Sequence, residues 1–150
     1  MSFQTTRKAI IEAAETMLGL PFIHQGRSSE TGVDCVGLLV VIGNMIGYPE
    51  VFDVEGYRRT PSAQVIRDTL RKNCDEIAVE DAKIGDIYLM RMGGIKPRHA
   101  SILYTTEVDP INGKEPTILH ATPKGIRVEA KRNYHPSWFV SAFRIRGIVE

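Results

Sequence analysis

Cys35 stands in the run Val33-Asp34-Cys35-Val36-Gly37-Leu38, directly ahead of a long apolar stretch, and that placement suits a nucleophile. A cysteine attacks as its thiolate, whose ordinary pKa of about 8.5 falls at a helix N-terminus, where free N–H groups and the helix dipole favour negative charge. Gly37 would keep the first turn slim enough for a substrate backbone to approach the sulfur. The Cys35 amide would point at a developing oxyanion. A lone cysteine before an apolar helix also reads as a buried core thiol, so the nucleophile needs a base. Of the four histidines, His99 opens Arg98-His99-Ala100-Ser101-Ile102-Leu103, and His120 lies in Thr117-Ile118-Leu119-His120-Ala121. In a sheet packed on the Cys35 helix, both rings would face the sulfur from adjacent strands as a base, His99, and an orienting group, His120. The second nitrogen of the base must be held by something polar so that the correct tautomer is present, and His120 can serve as acceptor or donor. The structural alternatives are an edge-strand histidine at 99 and a satisfied, half-buried one at 120. A zinc site built on Cys35, His99 and His120 lacks the close Cys or His pair that would anchor it.

The elements that must carry these residues are readable in the pattern. Ala9, Ile10, Ala13, Ala14, Met17 and Leu18 recur at helical spacing after Thr5-Thr6, and Gly19 with Pro21 ends the run. The polar segment Gly26-Arg27-Ser28-Ser29-Glu30-Thr31-Gly32 reads as an exposed loop. From Cys35 to Ile46 the chain is apolar all round. Its middle is β-branched, but its length favours a buried helix capped near Asp34 and closed by Gly47. A third helix is expected after Thr60-Pro61, with Val65, Ile66, Thr69 and Leu70 on one face. Cys74 follows it in a charged stretch and reads as incidental. Five strand-like runs come next, at 87–90, 100–104, 117–121, 126–128 and 141–145. Turn signals separate them at Gly93-Gly94, Asp109-Pro110-Ile111-Asn112-Gly113, Pro123-Lys124-Gly125 and His135-Pro136. Helices first and an antiparallel sheet second make a single α+β domain over residues 1–150.

Composition narrows the partners. With 19 basic and 18 acidic residues the formal net charge is +1, which gives no field to recruit nucleic acid or an anionic bilayer. The longest apolar run, 38–42, is too short for membrane insertion, and charges interrupt any signal-peptide core, so the expected location on synthesis is cytoplasmic. Two cysteines on such different backgrounds do not suggest a disulfide.

Several of these motifs keep the order found in one family. Gly19-Leu20-Pro21-Phe22-Ile23-His24-Gln25-Gly26, Asp34-Cys35-Val36-Gly37-Leu38, Gly85-Asp86-Ile87-Tyr88, His99-Ala100-Ser101-Ile102 and Leu119-His120-Ala121 resemble, across roughly residues 4 to 146, the NlpC family of cell-wall cysteine peptidases. The phage-encoded branch is the most similar. The resemblance implies a papain-like fold, with helices packed on a small antiparallel sheet or barrel, and a catalytic triad at Cys35, His99 and His120. It implies hydrolysis of a peptidoglycan stem-peptide or muropeptide amide through a thioester, with no metal or organic cofactor. Phage tail proteins are a further class of partner it implies, with a virion tail as the setting. The family's frequent Tyr is Phe22 here, and its common Ser after the nucleophile is Val36. Those changes bear on recognition of a free stem-peptide amine. Asp34 reads either as the receptor of that amine or as a helix N-cap, and His24 either as lining the cleft entrance or as a surface residue. Phe22 completes the candidate substrate-binding set. The rivals to a wall peptidase are a catalytically silent tail-assembly module of the same fold and a cytoplasmic amidase that recycles muropeptides.

Overall fold

Short polar side chains start each helix by accepting N–H groups that the first turn leaves unpaired. The structure, a computed structural model, describes residues 2–58, 61–92, 94–109, 113–123, 127–132 and 134–150. Helix α1 spans Arg7–Glu15, and the Thr6 hydroxyl accepts from the Ala9 amide at 3.0 Å. It ends earlier than the apolar pattern implies. Met17 is buried in the turn that follows, while Leu18 is 41% exposed. The chain then turns at Gly19 and runs beside residue 128, with hydrogen bonds from Gly19 N–H to Val128 O and from Val128 N–H to Leu20 O.

The segment expected to be an exposed loop is instead a small hairpin of β1, Arg27–Ser28, and β2, Gly32–Val33, with the second strand buried. It feeds directly into α2, Cys35–Ile46, which Asp34 caps by accepting from the Gly37 amide at 2.9 Å. Gly47, at φ +75°, closes the helix in the left-handed conformation open to glycine. Leu38, Leu39, Val41 and Ile42 are all buried, which accounts for a run that is apolar on every side. Gly37 serves a purpose different from the one its position implied. A Cβ there would lie 1.9 Å from the Gly26 carbonyl oxygen, so the missing side chain admits the hairpin and not a substrate.

Helix α3, Ala63–Asn73, is capped by Ser62, whose hydroxyl accepts from Val65 N–H at 3.1 Å. The expected start at Thr60 lies outside the described residues. Ile66, Leu70 and Asn73 form the buried stripe, spaced i, i+4, i+7, and this rotates Val65 outward to 45% exposure. Cys74 is not incidental: it is 2% exposed, and burial pushes its thiol up to about 12.

The remaining strands are β3 (Asp75–Ile77), β4 (Ile87–Met90), β5 (His99–Asp109), β6 (Gly113–Thr122), β7 (Arg127–Lys131) and β8 (Phe139–Arg144). They form one antiparallel sheet in the order β3-β8-β4-β5-β6-β7. Four of the expected strand runs lie inside β4, β5, β6 and β8, apart from Ile145, one residue past the end of β8. The fifth runs on as β7, with its first residue, Ile126, outside the described set, as are turn residues 93, 110–112, 124 and 125. Strand β3 was not anticipated. Its Asp-Glu-Ile sequence carries no alternation, but an edge strand needs only backbone bonds to its neighbour. Ile87, Leu89, Ala100, Ile102, Leu119 and Ala121 meet the helices, while Tyr88, Met90, Leu103 and Ile118 form a second cluster on the other side. Among the described residues no helix is long and apolar enough to cross a membrane.

The close approach at Gly37 gives a direct test. Gly37→Ala should lower unfolding stability by about 1–3 kcal/mol in urea titrations, as overpacking does, whereas Gly94→Ala, with open space around it, should not.

Candidate active site

Cys35 is the first residue of α2 and is 5% exposed. Its thiol meets the backbone amides of Ala100, on β5, and Val36. His99 is therefore one residue from the strand position that contacts the sulfur. The bond that His99 itself makes runs the other way, from Nε2 to Nδ1 of His120 at 2.7 Å. Register places the two rings on neighbouring strands, with Ile102 opposite Leu119, and they meet edge to face at 4.9 Å. Pleat alternation sends Ala100 and Leu119 toward the helices and leaves His120 on the face of Ile118, completely buried. The far nitrogen of His120, Nε2, lies 3.2 Å from the Tyr134 hydroxyl and 3.5 Å from a Glu129 carboxylate oxygen.

Electrostatically the site rests in its neutral form. Burial pushes the Cys35 thiol up to about 11 despite the Ala100 amide, and the Asp34 charge adds to the rise. A depressed thiol was the expectation from the helix N-terminus. It fails because the sulfur is desolvated and because Asp34 brings a carboxylate to that same end and engages the Gly37 amide. Burial also lowers His99, with His120 adding to the effect, and burial lowers His120 against the opposing pull of Glu129. Both shifts favour a neutral thiol and a neutral imidazole over a thiolate and an imidazolium.

Asp34 is 3% exposed and accepts from four donors: the Gly37 amide, the Gln25 amide at 2.9 Å, Arg27 at 2.9 Å and the Tyr57 hydroxyl. That is a full complement for two carboxylate oxygens. In this conformation it works as helix cap and loop clamp. Arg27 in turn bonds Asp53, the carbonyl of Val54 and the Tyr57 hydroxyl. His24 is exposed and sits edge-on to Tyr57 at 5.5 Å. Phe22 is half-buried against the helix core, bridged to Val33 two residues before Cys35. Phe22 and His24 thus lie in the segment that leads into the hairpin ahead of Cys35. Arg27, Tyr57, Glu129 and Tyr134 were missed from sequence. Arg27 and Tyr57 lie in segments with no periodicity, and Glu129 is visible only once strand register pairs it with His120. Among the described residues no group of three or more His, Cys, Asp or Glu is placed to hold a metal ion.

No protein-family model matches this sequence, and no curated protein does. Solved structures do match it. The NlpC/p60 domain of the peptidoglycan hydrolase SagA superposes with a TM-score of 0.64 over 94% of this chain and 100% of its own, at 19% identity. This chain has the NlpC/p60 fold. RipB, a peptidoglycan hydrolase from Mycobacterium tuberculosis, shares the NlpC/p60 architecture with a TM-score of 0.63 at 20% identity. There the alignment covers 93% of this chain and 64% of the mycobacterial one, so this chain spans under two thirds of that relative. RipD from the same organism, described as a non-catalytic NlpC/p60 domain protein adapted to peptidoglycan binding, matches at 14% identity and a TM-score of 0.60, covering 95% of this chain and 98% of its own. The likeness drawn from the ordered motifs therefore holds at the level of the fold, three helices against a mostly antiparallel sheet.

Two pH effects follow. In a Cys74→Ala background, alkylation of Cys35 should accelerate about tenfold per pH unit from neutrality up toward pH 10, as for any thiol below its pKa. A rate already at its plateau at pH 6 would contradict the raised thiol. The histidines act on stability. Both bind protons less readily when folded than their ordinary value of 6.5 allows, so the unfolded chain takes up more protons below that pH and stability falls as pH drops. The urea midpoint should decrease between pH 7 and pH 5, and by less in His120→Gln.

Proposed function

We propose that this protein hydrolyses amide bonds of peptidoglycan stem peptides or related muropeptides, with Cys35 as nucleophile, His99 as base and His120 as the residue that orients it. The observation that carries this reading is the His99 to His120 bond at the start of the strand whose next amide, that of Ala100, meets the Cys35 thiol. Peptidoglycan hydrolases built on the same fold support the substrate class.

The chemistry follows from the neutral resting state. As sulfur attacks the amide carbon, His99 takes the thiol proton, so no free thiolate has to be maintained in a buried site. Negative charge collects on the carbonyl oxygen, beside the first-turn amide of Cys35, which has no partner within its own helix. His99 then returns the proton to the leaving amine, the C–N bond breaks and a thioester remains. Water attacks the thioester and gives one proton to His99; the C–S bond breaks, His99 returns that proton to sulfur to restore the thiol, and the acid product loses its other proton to solvent as the carboxylate. Phe22 and His24 flank the approach to Cys35, and Asp34 acts through the loop it holds. The resemblance to phage-encoded members at His24 and Gln25 supports a phage or prophage origin, with tail proteins as neighbours.

One observation favours a second reading, a silent binding or tail-assembly module: the nucleophile is almost fully enclosed and its thiol is pushed up rather than down. Release of new amino groups from purified peptidoglycan decides between them. Wild type should release them and Cys35→Ala should fall to background. Undiminished turnover in Cys35→Ala would remove the nucleophile assignment, and wild type that binds the polymer without cutting it would make the protein a binding module.

A further inference from the structure

The His99 to His120 bond can be made in two ways, and only one leaves His99 with a free basic nitrogen. If His99 Nε2 carries the proton and donates, then His99 Nδ1 is free to accept a proton, the role the proposed function gives it, and His120 must carry its own proton on Nε2. If His120 Nδ1 donates instead, His99 is protonated on Nδ1 and cannot act as a base. His120 is completely buried, so protein groups and not bulk water must satisfy both of its nitrogens. Whatever faces its Nε2 therefore decides between the two arrangements.

Two groups face it. The Tyr134 hydroxyl, 3.2 Å away, accepts or donates and is indifferent. A Glu129 carboxylate oxygen, at 3.5 Å, only accepts. Glu129 lies directly opposite His120 in the β6 to β7 pairing, so the contact is fixed by strand register and not by a mobile loop. We propose that Glu129 is a positioning residue that selects the Nε2–H form of His120, and through it keeps the proton of His99 on Nε2 and off the nitrogen left for Cys35. With Nε2 protonated, the carboxylate meets a donor; with Nε2 bare, it would meet a lone pair. When His99 becomes an imidazolium during the reaction, the same chain, His99 N–H to His120 and His120 N–H to Glu129, ends on a negative charge. Lys131, two residues beyond Glu129 on β7, also bears on His120; it opposes protonation of the ring and does not compete for its N–H.

For its catalytic consequence the proposal rests on the hydrolase reading above; the proton placement does not. Long-range proton–nitrogen spectra of the imidazoles, assigned with single histidine variants, read the tautomers directly. Wild-type His120 should be the Nε2–H form. In Glu129→Leu the polar neighbour of Nε2 that remains among the described residues is the Tyr134 hydroxyl, which serves either form, so the Nε2–H preference should be lost and an Nδ1–H population should appear, with kcat down about twofold or more and KM little changed. Glu129→Gln, whose carbonyl still accepts, should restore the Nε2–H form, and Tyr134→Phe should keep it. An Nδ1–H His120 in wild type, or an Nε2–H population undiminished in Glu129→Leu, overturns the proposal. Should Glu129→Leu not fold, Tyr134→Phe decides, because a switch to Nδ1–H there would make the hydroxyl the selecting group. Expected tautomers together with a wild type that binds peptidoglycan without cutting it would sink the hydrolase reading and leave this one standing.

Discussion

The Asp34 carboxylate is the point on which the active-site side of the molecule depends. It is a buried charge, and burying one without compensation is costly. Here the compensation is the local architecture itself: Arg27 from the hairpin, the Gln25 amide from the turn before it, Tyr57 from the segment after α2, and the Gly37 amide from the helix that carries the nucleophile. Magnitudes rank these contacts. A helix cap alone is worth about 1 kcal/mol, whereas removing one partner of a buried ion pair costs on the order of 3–5 kcal/mol. Arg27 therefore dominates, and the cap comes with it. Gln25 is held at φ +56°, which non-glycine residues seldom adopt, and its N–H bond to Asp34 is what that turn gains.

Burial sets the chemical character of Cys35, and that clamp adds to it. The helix N-terminus would by itself favour a thiolate, but the carboxylate needed to hold the loop sits at the same place and works against it. The fold thus exchanges a preformed ion pair for a rigid, enclosed, neutral thiol. In the proposed reaction proton removal then falls to the imidazole, and the protonation pattern of the histidines matters more than the acidity of the sulfur.

The histidine side is assembled by a different kind of force. His120 is completely buried on the sheet face away from the helices, between two neighbouring strands and the Tyr134 ring. Backbone ladders set its position to within a residue, since a slip of one would turn it to the helix core. A second buried charge, Asp86, holds the other side of the domain. It takes Arg7 from α1 and Arg144 from β8, both at 2.9 Å, and so ties the first helix to the last strand. The domain is therefore closed at two buried carboxylates, each matched to arginine, whose planar fork suits a carboxylate better than lysine does.

The amino-acid sequence by itself determined the helices and most of the strands, because burial imposes a period of 3.6 or 2 that survives in the order of residues. Asp34 followed by an apolar run specified the start of α2, and Gly47 its end. It also singled out Cys35, His99 and His120, through residue type and flanking pattern. What it did not carry were the properties that arise between segments. Gly37 read as an opening for substrate until the hairpin was seen against it, Val65 read as core until α3 had docked, and β3 had no signal because an edge strand requires none. Arg27, Tyr57 and Glu129 matter only through partners 7, 23 and 9 residues away. The direction of the thiol's pKa belongs to the same class: a helix start can be read locally, but desolvation and the neighbouring carboxylate are sums over everything packed around the sulfur, and only the tertiary structure performs that sum.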